Sequence, residues 1–87
     1  MDKNGLCTFM NRGSVSDFND CIESGIYSIA GYPSNTPVSG GSWGILAVFT
    51  NYYTLQIYCA YNDNGAWTLW ARLINSSGGS FEQWKKL

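Results

Sequence analysis

Two runs of alternating side chains, residues 53–62 and 66–74, flank Asp63-Asn64-Gly65, and they restrict the fold more tightly than any other stretch of this chain. A three-residue hairpin loop favours a type I turn followed by a left-handed residue, normally Gly. Gly65 stands at that position, which sets Asn62 against Ala66 and fixes every pair behind it. One face then carries Leu55 opposite Leu73, Ile57 opposite Ala71, Cys59 opposite Leu69 and Tyr61 opposite Trp67. The other carries Thr54 opposite Ile74, Gln56 opposite Arg72, Tyr58 opposite Trp70 and Ala60 opposite Thr68. A slip of one residue would scramble this sorting. The first face is apolar throughout and is therefore the expected core side.

The remaining elements are arranged around this hairpin. Residues 16–24 read as a short helix. Ser16 or Asp17 caps it, Asp17 and Asp20 suit its positive end, and Gly25 ends it. Phe18, Cys21 and Ile22 share one face and are expected to pack on Cys59 and Leu69. Strands are predicted over residues 26–30, 43–50 and 81–87, with a further short one near residues 7–11. The apolar run Ile45-Leu46-Ala47-Val48-Phe49 predicts a central strand buried on both sides. Pro33, Asn35, Pro37, Gly40 and Gly41 make residues 32–42 a loop. The expected fold is mainly β with one short N-terminal helix (α+β), a small antiparallel sheet of about five strands. Residues 1–16 read as a lead-in segment or linker to a domain over residues 17–87.

At 87 residues the chain fits a single domain. Such a domain buries only ~60–65% of the surface its unfolded chain exposes, so its stability is expected to be thin or reinforced by self-association. Aromatic residues reach 16%: four Trp, six Tyr and four Phe. One small core cannot hide them all, and rings left on a surface mark a contact site. The cations Lys3, Arg12, Arg72, Lys85 and Lys86 are scattered and the net charge is −1. Phosphate neutralisation thus has no basic patch to work with, which argues against nucleic acid as a partner. The five-residue apolar run is far short of the ~18 residues of a spanning helix, so no membrane insertion is expected, and residues 1–12 do not read as a signal peptide. Cys7, Cys21 and Cys59 follow no zinc spacing, and their odd number predicts reduced thiols in a chain made in a reducing cytosol.

Catalysis is not expected. The chain has no His, which removes the Ser–His and Cys–His nucleophile pairs. Glycoside hydrolysis uses two carboxylates across a sugar, and nothing in the sequence brings Asp63 and Glu82 together. Asp17, Asp20 and Glu23 are more simply the wet face of a helix than a metal site. No cofactor motif is present; Gly40-Gly41-Ser42-Trp43-Gly44 leads into a strand, where a phosphate loop leads into a helix. The candidate binding site is the mixed hairpin face: Gln56, Tyr58, Trp70 and Arg72, with Trp84 as a neighbour. Rings offer an apolar platform, and an amide and a guanidinium supply directed hydrogen bonds, a combination suited to a sugar or a protein surface. The plainer alternative is that other elements cover this face, leaving Gln56 and Arg72 as a satisfied cross-strand pair.

In order and spacing, Asp17-Phe18-Asn19, Gly25-Ile26-Tyr27, Asn35-Thr36-Pro37, Gly44-Ile45-Leu46-Ala47-Val48, Gln56, Trp70-Ala71-Arg72 and Phe81-Glu82-Gln83-Trp84 form a recognisable series. Over residues 17–87 the chain resembles the knob domain of bacteriophage tail fibres and R-type pyocin fibres, with Phe81 where the family has a first Trp. The resemblance implies a non-catalytic module of a trimeric fibre, made in the bacterial cytoplasm and carried on a virion or phage-like particle. Its implied partners are a bacterial surface glycan or other receptor and the other fibre chains. Two alternatives remain: a structural or assembly spacer without receptor contact, and a binding appendage of a cell-wall hydrolase.

Overall fold

Residues 10–38, 42–61, 66–75 and 80–87 are described by a computed structural model, and they form one open, mixed β-sheet. Its strands are β1 (Asn11–Ser14), β2 (Gly25–Gly31), β3 (Ser42–Thr50), β4 (Thr54–Tyr61), β5 (Trp67–Asn75), β6 (Ser80–Phe81) and β7 (Lys85–Lys86). They lie in the order β1-β2-β3-β4-β5-β6, and β7 also pairs with β5. The chain is mainly β, as expected, but with more strands than five. The sheet is also mixed, because β1 runs parallel to β2. That strand falls inside the segment read as a lead-in. The proposed strand near residues 7–11 and the turn at Gly65 lie largely or wholly outside the described residues, as does Cys7.

The hairpin register is the one read from the turn. Gln56 faces Arg72, Tyr58 faces Trp70 and Cys59 faces Leu69 across β4 and β5. The sorting of faces, however, is the reverse of that expected. Gln56 and Tyr58 have no exposed surface, and Thr54, Ala60, Arg72 and Ile74 are also buried. Leu55, Ile57, Cys59 and Leu69 are only half-buried, and Tyr61, Trp67 and Leu73 are exposed. The core is built from Phe18, Cys21, Tyr27, Ile29, Leu46, Val48, Tyr58 and Ala60, with Trp70, Trp84, Val15 and Val38 packed against it. It therefore lies on the mixed face of the hairpin. The polar groups tolerate burial because they are paired: among the described residues no buried side-chain nitrogen or oxygen lacks a hydrogen-bond partner.

The same inversion runs across β3. Leu46 and Val48 point into the core, whereas Trp43, Ile45 and Phe49 are exposed, so this strand is central but buried on one side. Pairing across β2 to β5 places four rows on the open face. They are Ala30, Trp43, Tyr61 and Trp67; Ser28, Ile45, Cys59 and Leu69; Ile26, Ala47, Ile57 and Ala71; and Phe49, Leu55 and Leu73.

The helix expected over residues 16–24 is absent, and one 3₁₀ turn, Phe18–Asp20, takes its place. Tertiary partners claim the backbone groups a helix would have used. The Phe18 amide donates to the Ser34 carbonyl at 3.0 Å. The Phe18 and Cys21 carbonyls accept from Gln56. Asp17 does cap this turn, accepting from the Asn19 amide at 2.9 Å. Phe18 enters the core, but Ile22 is exposed, and neither packs on Cys59 and Leu69 as a helix face. Gly25 opens β2 instead of ending a helix.

The final strand is also interrupted. Ile74 faces Phe81, whereas Ala71 faces Lys85 and Trp70 faces Lys86. The register slips by one residue between β6 and β7, which is the signature of a bulge. Uninterrupted alternation would put Phe81 and Trp84 on opposite sides. The bulge brings both rings over Arg72, at 4.7 and 4.6 Å from its guanidinium carbon.

Candidate functional site

Among the described residues, Arg72 organises a region that gathers rings, amides and a charge. It is rooted in β5 and buried to 7% exposure. Its Nε donates to Gln56 Oε1 at 2.6 Å and its Nη2 to Asn19 Oδ1 at 2.9 Å. Phe81 and Trp84 cover the guanidinium, a cation–π geometry that desolvation strengthens. Burial lowers the Arg72 pKa from its ordinary value, with nearby Asp17 acting in the opposite direction; the group stays a cation at physiological pH.

The loop segments are held to this centre by a second set of bonds. Ser34 donates to the Ser16 carbonyl at 3.0 Å. Asn35, at φ 64°, takes the left-handed conformation that Asn tolerates better than most residues. Its Nδ2 donates to Asp17 Oδ1 at 2.8 Å, and its carbonyl accepts from Trp84 Nε1 at 3.2 Å. The Asn35 bond, then the Asn19 amide, hold the Asp17 carboxyl below its ordinary pKa. The Trp84 ring meets Phe18 edge-on at 5.9 Å, and Phe18 meets Tyr58 likewise at 5.0 Å.

Above this network lies an open groove of about 450 Å³. Trp70, Arg72, Phe81 and Trp84 form one side of its lining, and Asn19, Asn35, Thr36, Pro37, Glu82 and Gln83 complete it. Trp70 is half-buried, with its Nε1 donating to Thr68 Oγ1 and Lys86 Nζ 5.8 Å from the ring centre. The groove offers ring surface and side-chain amides around a buried cation, which are the means of holding a sugar or another polar, flat ligand. Its described lining holds one carboxylate, Glu82, where glycoside hydrolysis uses a pair.

Of the five residues expected to bind, Trp70, Arg72 and Trp84 reach this groove. Gln56 and Tyr58 do not, and this corrects their assignment as contact residues. Gln56 Nε2 is spent on the Phe18 and Cys21 carbonyls at 2.7 and 2.8 Å, and its Oε1 on Arg72. The Tyr58 hydroxyl bonds Ser42 Oγ and the Trp43 carbonyl, and burial raises its pKa. Both are supports beneath the site. Asn19, Asn35, Phe81 and Gln83 were missed as site residues. The Asn-x-Pro of Asn35-Thr36-Pro37 was a visible turn signal, but nothing local placed it beside Trp84.

The acidic residues of residues 16–24 have separate structural tasks. Asp17 holds the turn and Asn35, while Glu23 pairs with Arg12 at 3.1 Å. Cys21 and Cys59 are free thiols, and burial pushes the Cys21 pKa up to about 11. No described helix is long and apolar enough to cross a membrane. No protein-family model, curated protein or solved structure matches this chain.

Proposed function

We propose that this domain is a non-catalytic attachment module of a phage-like tail fibre, holding a host-surface glycan in the groove above Arg72. The observation that carries the reading is the clasp of Arg72 between Phe81 and Trp84, with Trp70 beside it and the Asn35 and Gln83 amides on the rim. The segments that carry the resemblance to tail-fibre knobs, Asp17-Phe18-Asn19, Asn35-Thr36-Pro37, Gln56, Arg72 and Trp84, meet at this one place. In this reading the sugar stacks on Trp70 or Trp84, and amides on the rim select its hydroxyl groups. The module is carried on a virion or phage-like particle as part of a homotrimeric fibre.

The test is binding of the folded chain to an array of bacterial surface polysaccharides, followed by calorimetry with the best ligand. Trp70→Ala, which removes a ring of the groove lining without touching the Gln56–Arg72 pair, is expected to cost ≥ ~2 kcal/mol of binding. Equal binding by wild type and Trp70→Ala, or no polysaccharide bound at all, defeats the reading. The second reading, an assembly spacer, is favoured by the apolar open face of the sheet. It predicts no glycan binding, and a Trp70→Ala chain that assembles as the wild type does.

A further inference from the structure

We infer that the open face of the sheet is a self-association surface, covered by the same face of another copy of this chain. This goes beyond the glycan groove, lies on the opposite side of the sheet and does not depend on it. An antiparallel sheet with one solvated face ordinarily alternates apolar inward and polar outward. This sheet does not: along the four rows of its open face from β2 to β5, Ser28 and Tyr61 carry the two hydroxyls and no side chain is charged. Trp43, Tyr61 and Trp67 stand directly opposite one another at one end, 44%, 54% and 60% exposed.

The size of the patch points to a folded partner. Seven of its side chains are on average about half exposed. At ~200 Å² for a large apolar side chain fully in water, these alone leave roughly 700 Å² in contact with solvent. That exceeds the ~300–600 Å² of the largest apolar patch on a typical monomer and approaches the ~800 Å² each partner contributes to a stable complex.

Charge identifies a second copy as the occupant. A face without charge meets its own image without like-charge repulsion, and the chain's net charge is only −1. The rim beside Leu55, Ala71 and Leu73 carries one charge of each sign, Glu82 and Lys85. A copy turned over on this face can therefore oppose acid with base, as a self-complementary interface requires. Sheets stacked in this way pack ~10 Å apart with their side chains interleaved. The core on the other side of the sheet is one thin layer, so a second apolar layer adds the burial that so small a domain lacks.

The experiment is sedimentation equilibrium of the 87-residue chain over a wide concentration range, with tryptophan quenching by acrylamide on the same samples. A dimer is expected, and dilution into monomers should raise quenching as Trp43 and Trp67 become exposed. Ile45→Glu and Trp67→Glu, each checked for a native circular dichroism spectrum, should weaken association at least tenfold. Lys86→Glu, an exposed control opposite Trp70 on the groove side of the sheet, should leave it unchanged. A wild-type chain that stays monomeric overturns the inference, and so does a monomer that instead binds neutral phospholipid vesicles. An oligomer that survives either Glu substitution in folded form also overturns it. Should both variants unfold, dissociation of the wild type with no change in quenching is sufficient to reject this face.

Discussion

Gln56 and Arg72 face each other across β4 and β5 and are joined by a 2.6 Å bond from Arg72 Nε to Gln56 Oε1 inside the protein. Gln56 turns its amide nitrogen the other way, to two carbonyls of the turn that carries Phe18. The pair therefore links the hairpin to the N-terminal segment and fixes the floor beneath the groove. Gln56→Leu keeps the bulk and removes all three bonds. At ~1–3 kcal/mol for each buried polar group left unpaired, the expected loss is at least about 3 kcal/mol in urea unfolding. A loss below about 1 kcal/mol would mean that water replaces these bonds.

Leu46 and Leu69 separate the two faces of the sheet. Leu46 has no exposed surface and belongs to the core cluster, so Leu46→Ala should cost ~2–5 kcal/mol. Leu69 lies on the open face, and Leu69→Ala should cost clearly less when unfolding is measured on the dissociated chain. Equal losses at the two positions would show that the open face is sealed within a single chain.

Gly44 permits the close approach of β3 to β4. Its φ is +152°, and a Cβ there would stand 1.9 Å from the Cys59 carbonyl oxygen. Gly44→Ala must push the two central strands apart in addition to the ~1–3 kcal/mol of an unfavourable backbone conformation. The expected result is a chain that unfolds well below the wild-type temperature or fails to fold. A melting temperature within a few degrees of wild type counts against this strand spacing.

Asp17 makes the structure sensitive to acid. Its folded pKa lies below the ordinary 3.8, first through the Asn35 side chain and then through the Asn19 amide. A depressed carboxyl stabilises the fold at pH values above its unfolded pKa, and that contribution disappears as pH falls through the folded value. Stability should therefore decline below about pH 4, and Asp17→Asn should shallow that decline while leaving neutral pH less affected. An acid limb unchanged by Asp17→Asn would assign it to other carboxyls.

The sequence by itself determined the pairing of the central hairpin, because turn chemistry and a side-chain period of two are local properties of residues 53–74. It also established the mainly β character and the members of each face. Only the tertiary structure decided which face turned inward. Alternation says which residues share a side, whereas burial depends on whether distant groups satisfy the polar ones. For Gln56 those groups lie 38 and 35 residues back along the chain and 16 ahead. The same long-range bonds drew residues 16–24 out of the helix their spacing favours. The groove depended on a single extra residue between β6 and β7, which set Phe81 and Trp84 on one side of Arg72. A bulge of that kind is selected by packing against Phe18 and Arg72, and neither contact is written in residues 81–87.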